Sequence, residues 1–283
     1  MPPRSSPTYR QQRLGSELRK LRERAGLSMH EAASMLGVDR AKMSSIETGR
    51  VGLSAARVRS LTCHYDCADQ DLIAALTAMT GDRARYWWDE YRGVLPSGFQ
   101  DLAELEHHAV KMRTAQVASL PGLFQTVDHA RANFGQGRPP LPPHELEHRV
   151  SHRMKRQAVL HQDPPIEYTA IIHEAALRMR FGGKATARAQ LEYILTMSER
   201  DSITVLALPF EAGAFPGSGQ TIFYAHGPVA QLDTVQLDES HGALFVDAPT
   251  QLDKYRDVLD GLEALALGPA ESRTFIRDIA QSL

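Results

Sequence analysis

From Gln11 to Ala25 the apolar residues Leu14, Leu18, Leu21 and Ala25 recur every three or four positions, the spacing of one buried helix face. Gly26 ends that helix. Ser28-Met29-His30-Glu31 reads as a capping box, with Ser28 capping a second helix and Glu31 reaching back. That helix stops at Gly37, a residue that tolerates a left-handed C-cap. Asp39 is placed to cap a third helix to about Thr48, closed by Gly49, and Ser54 a fourth to about Tyr65. A helical stretch is predicted over about 69–134. It includes Trp87, Trp88 and Tyr91, then Leu102, Leu105, Ala109, Met112 and Val117 at roughly helical spacing, with a break at Pro121-Gly122. A Gly/Pro-rich loop, 135–143, precedes a charged helix over about 144–161.

Strand patterns follow. Residues 166–172 and 202–208 are β-branched runs around a helix at about 184–200. Thr221 to Tyr224, Val229 to Leu237 and Ala243 to Val246 read as further strands, and helices at about 249–266 and 269–281 close the chain. No internal repeat is visible. The predicted class is α+β: an N-terminal all-α domain, then a mixed α/β domain with a small, largely antiparallel sheet. The expected organisation is a disordered arm (1–9), a helical domain (10–67), a helical linker (68–84) and an α+β body (85–283). Within the helical domain two short helices flank the tight Gly37-Val38 turn. Ala33, Leu36, Val38, Met43 and Ile46 point into one small core, and the small Ala33 lets the helices cross closely. This is a helix-turn-helix pattern.

Composition adds little until it is split. Hydrophobic residues make up 42% and charged residues 23%, which fits a soluble globular protein. No apolar run approaches the roughly 20 residues that span a bilayer, no apolar stretch follows Met1-Pro2-Pro3 as in a secretory signal, and Cys63 and Cys67 are too few to staple a secreted domain. The expected location is the cytoplasm. The net charge of −2 conceals an asymmetry: residues 1–65 carry 12 Lys+Arg against 5 Asp+Glu, a net of +7, and the remainder is at −9. A basic head on an acidic body suits a phosphate-binding head, although a solvated basic helix has the same composition.

The run from Gly26 to Arg50, with its Leu36-Gly37-Val38 turn and Ile46-Glu47-Thr48-Gly49 ending, resembles the Cro/cI-like, xenobiotic-response-element regulators. Tyr91-Arg92-Gly93-Val94-Leu95-Pro96, Leu105-Glu106, Pro121-Gly122-Leu123-Phe124-Gln125-Thr126, Glu174-Ala175-Ala176-Leu177, Leu208-Pro209-Phe210 and Gly213-Ala214-Phe215-Pro216-Gly217 resemble the C-terminal domain of antitoxin-like actinobacterial regulators. The resemblance implies a transcription factor, not an enzyme, often encoded beside a small partner protein. The sequence departs from the family at two places. Met29 stands where a phosphate-touching Gln is common, and Ser45 where Arg is common.

A recognition helix puts its N-terminal half against base edges. With Met43 and Ile46 facing the core, Arg40, Ala41, Ser44 and Ser45 fall on or near the groove face. Arg40 suits guanine O6 and N7, Ala41 a thymine methyl, and Ser44 and Ser45 either donor or acceptor partners. Lys42 and Arg50 suit phosphates. Ser28 and Met29, at the start of the second helix, complete the expected DNA-contacting set. Double-stranded DNA is therefore the expected partner, and a homodimer is expected because one such motif reads few base pairs. No cofactor, metal or membrane partner is expected.

Three other patterns compete for a function. His144-Glu145-Leu146-Glu147-His148 matches the zinc-peptidase string, in which two histidines one turn apart bind zinc and the first glutamate is the base; His152 continues the face. Pro142-Pro143 and the polar flank Arg149, His152, Arg153, Lys155 and Arg156 favour a solvated helix instead. Cys63 and Cys67 allow a metal or redox site, or two small buried hydrophobes on one helix. Trp87, Trp88 and Tyr91 suit a ligand pocket or plain core.

Overall fold

Ser28, Asp39 and Ser54 each sit at the N-cap of a helix in the computed structural model, which describes residues 6–80, 85–217, 219–239 and 242–283. The chain divides into two units, Met1–Asp89 and Glu90–Leu283. The first contains α1 (Tyr9–Arg24), α2 (Met29–Met35), α3 (Arg40–Glu47), α4 (Ala55–His64) and α5 (Gln70–Ala78). The Ser28 backbone N–H donates to the Glu31 carboxylate at 2.7 Å and the Ser28 hydroxyl accepts from the Glu31 N–H, so the predicted capping box forms. Asp39 accepts from the Lys42 N–H at 2.6 Å. Leu14, Leu18, Leu21, Ala33, Met43, Ile46, Val58 and Leu61 are buried and supply the apolar interior of the unit.

Two boundaries differ from expectation. Of the predicted arm, residues 1–5 lie outside the described residues, and Thr8 already forms a capping box with Gln11 at the start of α1. In the predicted 68–84 linker, residues 81–84 lie outside the described residues. Before them α5 packs on α4 and buries Leu72, Ala75 and Leu76, so it belongs to the helical unit.

The second unit is a six-stranded mixed sheet with helices on both faces. Its elements are α6 (Ser97–His108), β1 (Lys111–Gln116), α7 (Val127–Phe134), α8 (Pro143–Arg156), β2 (Glu167–His173), α9 (Glu174–Arg178), α10 (Lys184–Met197), β3 (Ile203–Leu208), β4 (Ile222–His226), β5 (Thr234–Glu239), β6 (Gly242–Val246), α11 (Pro249–Leu265) and α12 (Pro269–Ser282). The strand order is β3-β2-β1-β4-β5-β6. β1–β2 and β2–β3 are parallel, and the three remaining pairings are antiparallel. The parallel pairs have helical crossovers between their strands, as parallel pairs must. Val205, Ile172, Met112 and Phe223 pack with α10 and α12 on one face, while Ile171, Leu206, Tyr224 and Leu237 pack with α11 on the other. No helix of the described residues is long and apolar enough to cross a membrane.

β1 corrects the predicted 69–134 helical stretch. Leu102, Leu105, Ala109 and Met112 share helical spacing by coincidence, because α6 ends at His108 and Ala109 is extended. β1 is a polar strand at the centre of the sheet. Arg113 points to the α11 face, where Asp260 and Glu263 neutralise it at 2.8 and 2.9 Å. On the other face the Thr114 hydroxyl donates to the Ile222 carbonyl, and the Gln116 amide donates to Thr114. The predicted strand from Val229 also begins later, at Thr234, since Ala230–Leu232 is a 3₁₀ turn.

Leu259 of α11 is fully buried and Leu265 is 40% exposed. Leu259→Ala is therefore expected to lower stability by about 2–5 kcal/mol and Leu265→Ala by under about 1 kcal/mol, read from urea unfolding of the full chain. Equal losses would show that α11 does not close this core.

Candidate nucleic-acid interface

The first unit presents α3 by burying one side of it. Met43 and Ile46 are buried, Arg40, Ala41 and Lys42 are exposed, and Ser44 and Ser45 are half-buried. The two serines flank the point where α3 turns inward. The Ser45 hydroxyl donates to the Ala41 carbonyl at 2.9 Å, and the Ser44 carbonyl accepts from Thr48. Arg50 is exposed just past the helix. At the start of α2 the Ser28 hydroxyl donates to Glu31 at 2.6 Å, and the half-buried Met29 side chain has no hydrogen-bond donor to offer. Of the predicted set, the structure thus brings Arg40, Ala41 and Lys42 together on one exposed turn, commits Ser28 to its cap, and leaves Ser44 and Ser45 at the rim.

α3 is held by a contact that sequence reading missed. Arg22 of α1 donates from Nε and Nη2 to the two Glu47 carboxylate oxygens at 2.6 and 3.0 Å, and from Nη1 to the Leu27 carbonyl at 2.8 Å. The side chains are only 8% and 3% exposed. The hydrogen bond to Glu47 outweighs burial and raises the Arg22 pKa. The backbones also meet. A Cβ on Gly15 would stand 2.6 Å from the Ile46 and Glu47 carbonyl oxygens, and Gly49, at φ +74°, is similarly close to Gln11. The only sequence signal was the Ile46-Glu47 ending itself, since residues 25 positions apart reveal no pairing by periodicity.

The same contacts partition the charge. Glu17 takes Arg13 and Lys20, Glu23 takes Arg19, and Glu47 takes Arg22. Glu31 and Asp39 are engaged in caps. Arg40, Lys42, Arg50 and Arg57 have no carboxylate within ion-pair distance among the described residues. Arg24 on α1 and Arg59 on α4 have none either. Uncompensated positive charge is thus carried by α3, the loop after it and α4 together with the end of α1, which suits a polyanion.

The rival patterns resolve otherwise. His144 and His148 are exposed on α8, Glu145 pairs with Arg149 at 2.6 Å, and Glu147 with Arg131 at 2.8 Å. His152 points inward, edge-on to Tyr91 and Phe99. Among the described residues no three His, Cys, Asp or Glu side chains stand together as a metal-binding group. α4 ends at His64 and Asp66 adopts φ +52°, so Cys67 is off the helix and Cys63 is exposed; the expectation of two buried helical thiols fails because the chain turns between them. Trp88 and Tyr91 are buried, and the Tyr91 hydroxyl lies 2.9 Å from the Ser151 hydroxyl.

Comparison with known families gives two matches. Residues 99–278 match the family described as a domain of unknown function (DUF5753), and residues 13–76 match one described as a helix-turn-helix domain. No curated protein and no solved structure matches the chain.

Cutting the clamp is expected to be costly because it strands a buried charge. Arg22→Met or Glu47→Leu alone should lower stability by about 3–5 kcal/mol, and the double replacement by clearly less than the sum. Urea unfolding in a double-mutant cycle checks this, and additive losses would contradict a coupled pair. A second prediction concerns acid. Burial, with smaller contributions from neighbouring arginines, lowers the pKa of His129 to about 4 and of His152 to about 3. Below about pH 6.5 the unfolded chain binds protons that these folded imidazoles refuse. Stability should be level above pH 6.5 and fall towards pH 4, by a few kcal/mol. His129→Phe should flatten the decline in urea midpoints between pH 7 and pH 5. An unchanged slope would show that His129 is not buried in neutral form.

Proposed function

The chain belongs to the DUF5753 family and carries a helix-turn-helix domain ahead of that region, and on that premise we propose that it is a sequence-specific transcriptional regulator whose α3 lies in the major groove. The supporting observation is the partition of charge: Glu17, Glu23, Glu31, Asp39 and Glu47 serve α1 and the caps, and Arg40, Lys42 and Arg50 are left without a carboxylate. Arg40 forks onto a guanine edge. Ala41, Ser44 and Ser45 meet neighbouring bases, Lys42 and Arg50 meet phosphates, and the start of α2 at Ser28 and Met29 lies against the DNA backbone. Met29 and the short Ser45 make the footprint lighter than the Gln and Arg common in Cro/cI-like relatives.

In this reading the protein acts in the cytoplasm as a homodimer, and the second unit is regulatory. That unit receives a partner protein or a ligand and shifts the geometry of the paired heads, without catalysis. The resemblance to antitoxin-like regulators favours a small protein encoded by an adjacent gene as the partner. A useful switch needs a differential affinity of roughly 1–3 kcal/mol between two states. Co-expression with the neighbouring gene product, followed by DNA titration of any complex, tests this part; no complex and an unchanged affinity would remove it.

Arg40→Ala is expected to cost about 1–3 kcal/mol and to relax preference at one base pair. Lys42→Ala should weaken all sequences evenly and reduce the salt slope by about 1. Binding-site selection and salt titration separate the two effects, and an Arg40→Ala variant with unaltered preference would displace Arg40 from the groove face. Light scattering should give a dimer bound to two half-sites about one helical turn apart; a monomer both free and on DNA would contradict dimer recognition.

A further inference from the structure

We propose that the second unit contains a binding site for a small oxyanion, the carboxylate or phosphate group of a small molecule, centred on the Arg153 guanidinium of α8. The proposal deepens the regulatory reading of this unit and rests on it.

The basic residues of α8 are not treated alike. Arg149 pairs with Glu145, Lys155 with Glu90 and Arg156 with Glu106. Arg153 instead donates from Nη1 to the neutral Gln125 carboxamide at 2.7 Å, with its guanidinium 4.7 Å over the Phe134 ring. No carboxylate stands within ion-pair distance of it among the described residues. Glu106 and Asp238 lie within its field, yet Glu106 is committed to Arg156, and the Asp238 carboxylate accepts from Gln236 at 2.7 Å. Burial, and then the neighbouring Arg156, lower the Arg153 pKa to about 9, the sign of a cation short of counter-charge.

The guanidinium is also held in place. Gln125 is buried, its side-chain amide donates to the Leu120 carbonyl at 2.9 Å, and its backbone carbonyl accepts from the Gln157 side chain at 2.6 Å. Arg153 as a residue is half-buried, and of its guanidinium nitrogens Nη1 alone makes a hydrogen bond among the described residues. A second, independent observation comes from α7. His129 is 1% exposed, lies within the field of Arg153, and neither of its ring nitrogens has a hydrogen-bond partner. α7 packs on α8, and Arg153 lies over Phe134 of α7, so a fixed cation lacking a carboxylate and an imidazole lacking an acceptor stand on two helices in contact. One oxyanion meets both needs: it accepts from the guanidinium in a charge-assisted bond and from an imidazole N–H. A neutral amide would supply the acceptor but not the charge.

The test uses the full chain without DNA, so its outcome is separable from DNA recognition. Inorganic phosphate and acetate are titrated at ionic strength held constant with sodium chloride, while NMR follows the Arg153 Nε–H and His129 ring resonances. Saturable shifts at both residues are expected with at least one anion, together with a rise in the His129 pKa, and the anion that binds more tightly identifies the oxyanion class. Arg153→Gln should weaken binding at least roughly ten-fold, the loss of about 1.4 kcal/mol, whereas Lys254→Gln on α11 should leave it unchanged. If Arg153→Gln does not fold, Arg153→Lys, which keeps the charge and loses the fork, should weaken binding several-fold. No saturable shift, shifts reproduced by chloride alone, or affinity unchanged in the folded Arg153 variant would overturn the proposal.

Discussion

A guanidinium and a carboxylate, both almost shielded from water, join α1 to the last turn of α3, and the candidate DNA-reading surface depends on that join. Taking the two charges out of water is expensive, and the cost is recovered only with good geometry. Arg22 provides it, with two bonds to Glu47 and a third to the Leu27 carbonyl. The bond to Leu27 matters as much as the pair, because it ties the α1–α2 turn to the same guanidinium. Gly15 and Gly49 let the backbones approach until no Cβ fits between them. With one side of α3 fixed in this way, the turn carrying Arg40, Ala41 and Lys42 has a defined direction before any ligand arrives. Such preorganisation spares binding the cost of ordering it.

Both units settle their charges internally, with different residues left over. In the first unit Glu17, Glu23, Glu31, Asp39 and Glu47 serve α1 and the helix caps, and Arg40, Lys42 and Arg50 on and beyond α3 keep their charge uncompensated. In the second, which is acidic overall, the buried cations are matched: Arg113 under the sheet by Asp260 and Glu263, and Arg156 by Glu106. Arg153 departs from this pattern, on a helix that packs against the one carrying the buried His129. A half-buried cation without a carboxylate, in a unit that is acidic overall, suits a small anion better than a polyanion.

What could be read from the sequence were the features whose causes are local. The caps at Ser28, Asp39 and Ser54, the Gly37 turn and the β-branched runs of β2 and β3 each follow from residues within a few positions, and each was found in place. β1 was not legible because tertiary pairing overrides its composition. It is flanked on both sides by strands, so its polar side chains are satisfied by α11 and by β4 rather than by water. The Arg22–Glu47 clamp, the Gly15 approach and the Arg153 cluster were invisible for a related reason, since each joins residues brought together only by folding. The zinc-peptidase string was legible and misleading: its spacing is right for a helix, yet its glutamates are occupied by Arg149 and Arg131.

If α3 reads the major groove, methyl groups placed in that groove must block it, and chemical interference on the DNA tests this. A binding site selected from random sequence is partly methylated, at guanine N7 in the major groove and at adenine N3 in the minor groove, and the bound and free fractions are compared. Methylation at guanine N7 within each half-site is expected to exclude the DNA from the complex, while adenine N3 methylation there is not. Interference confined to adenine N3, or failure of selection to enrich any sequence, would contradict it.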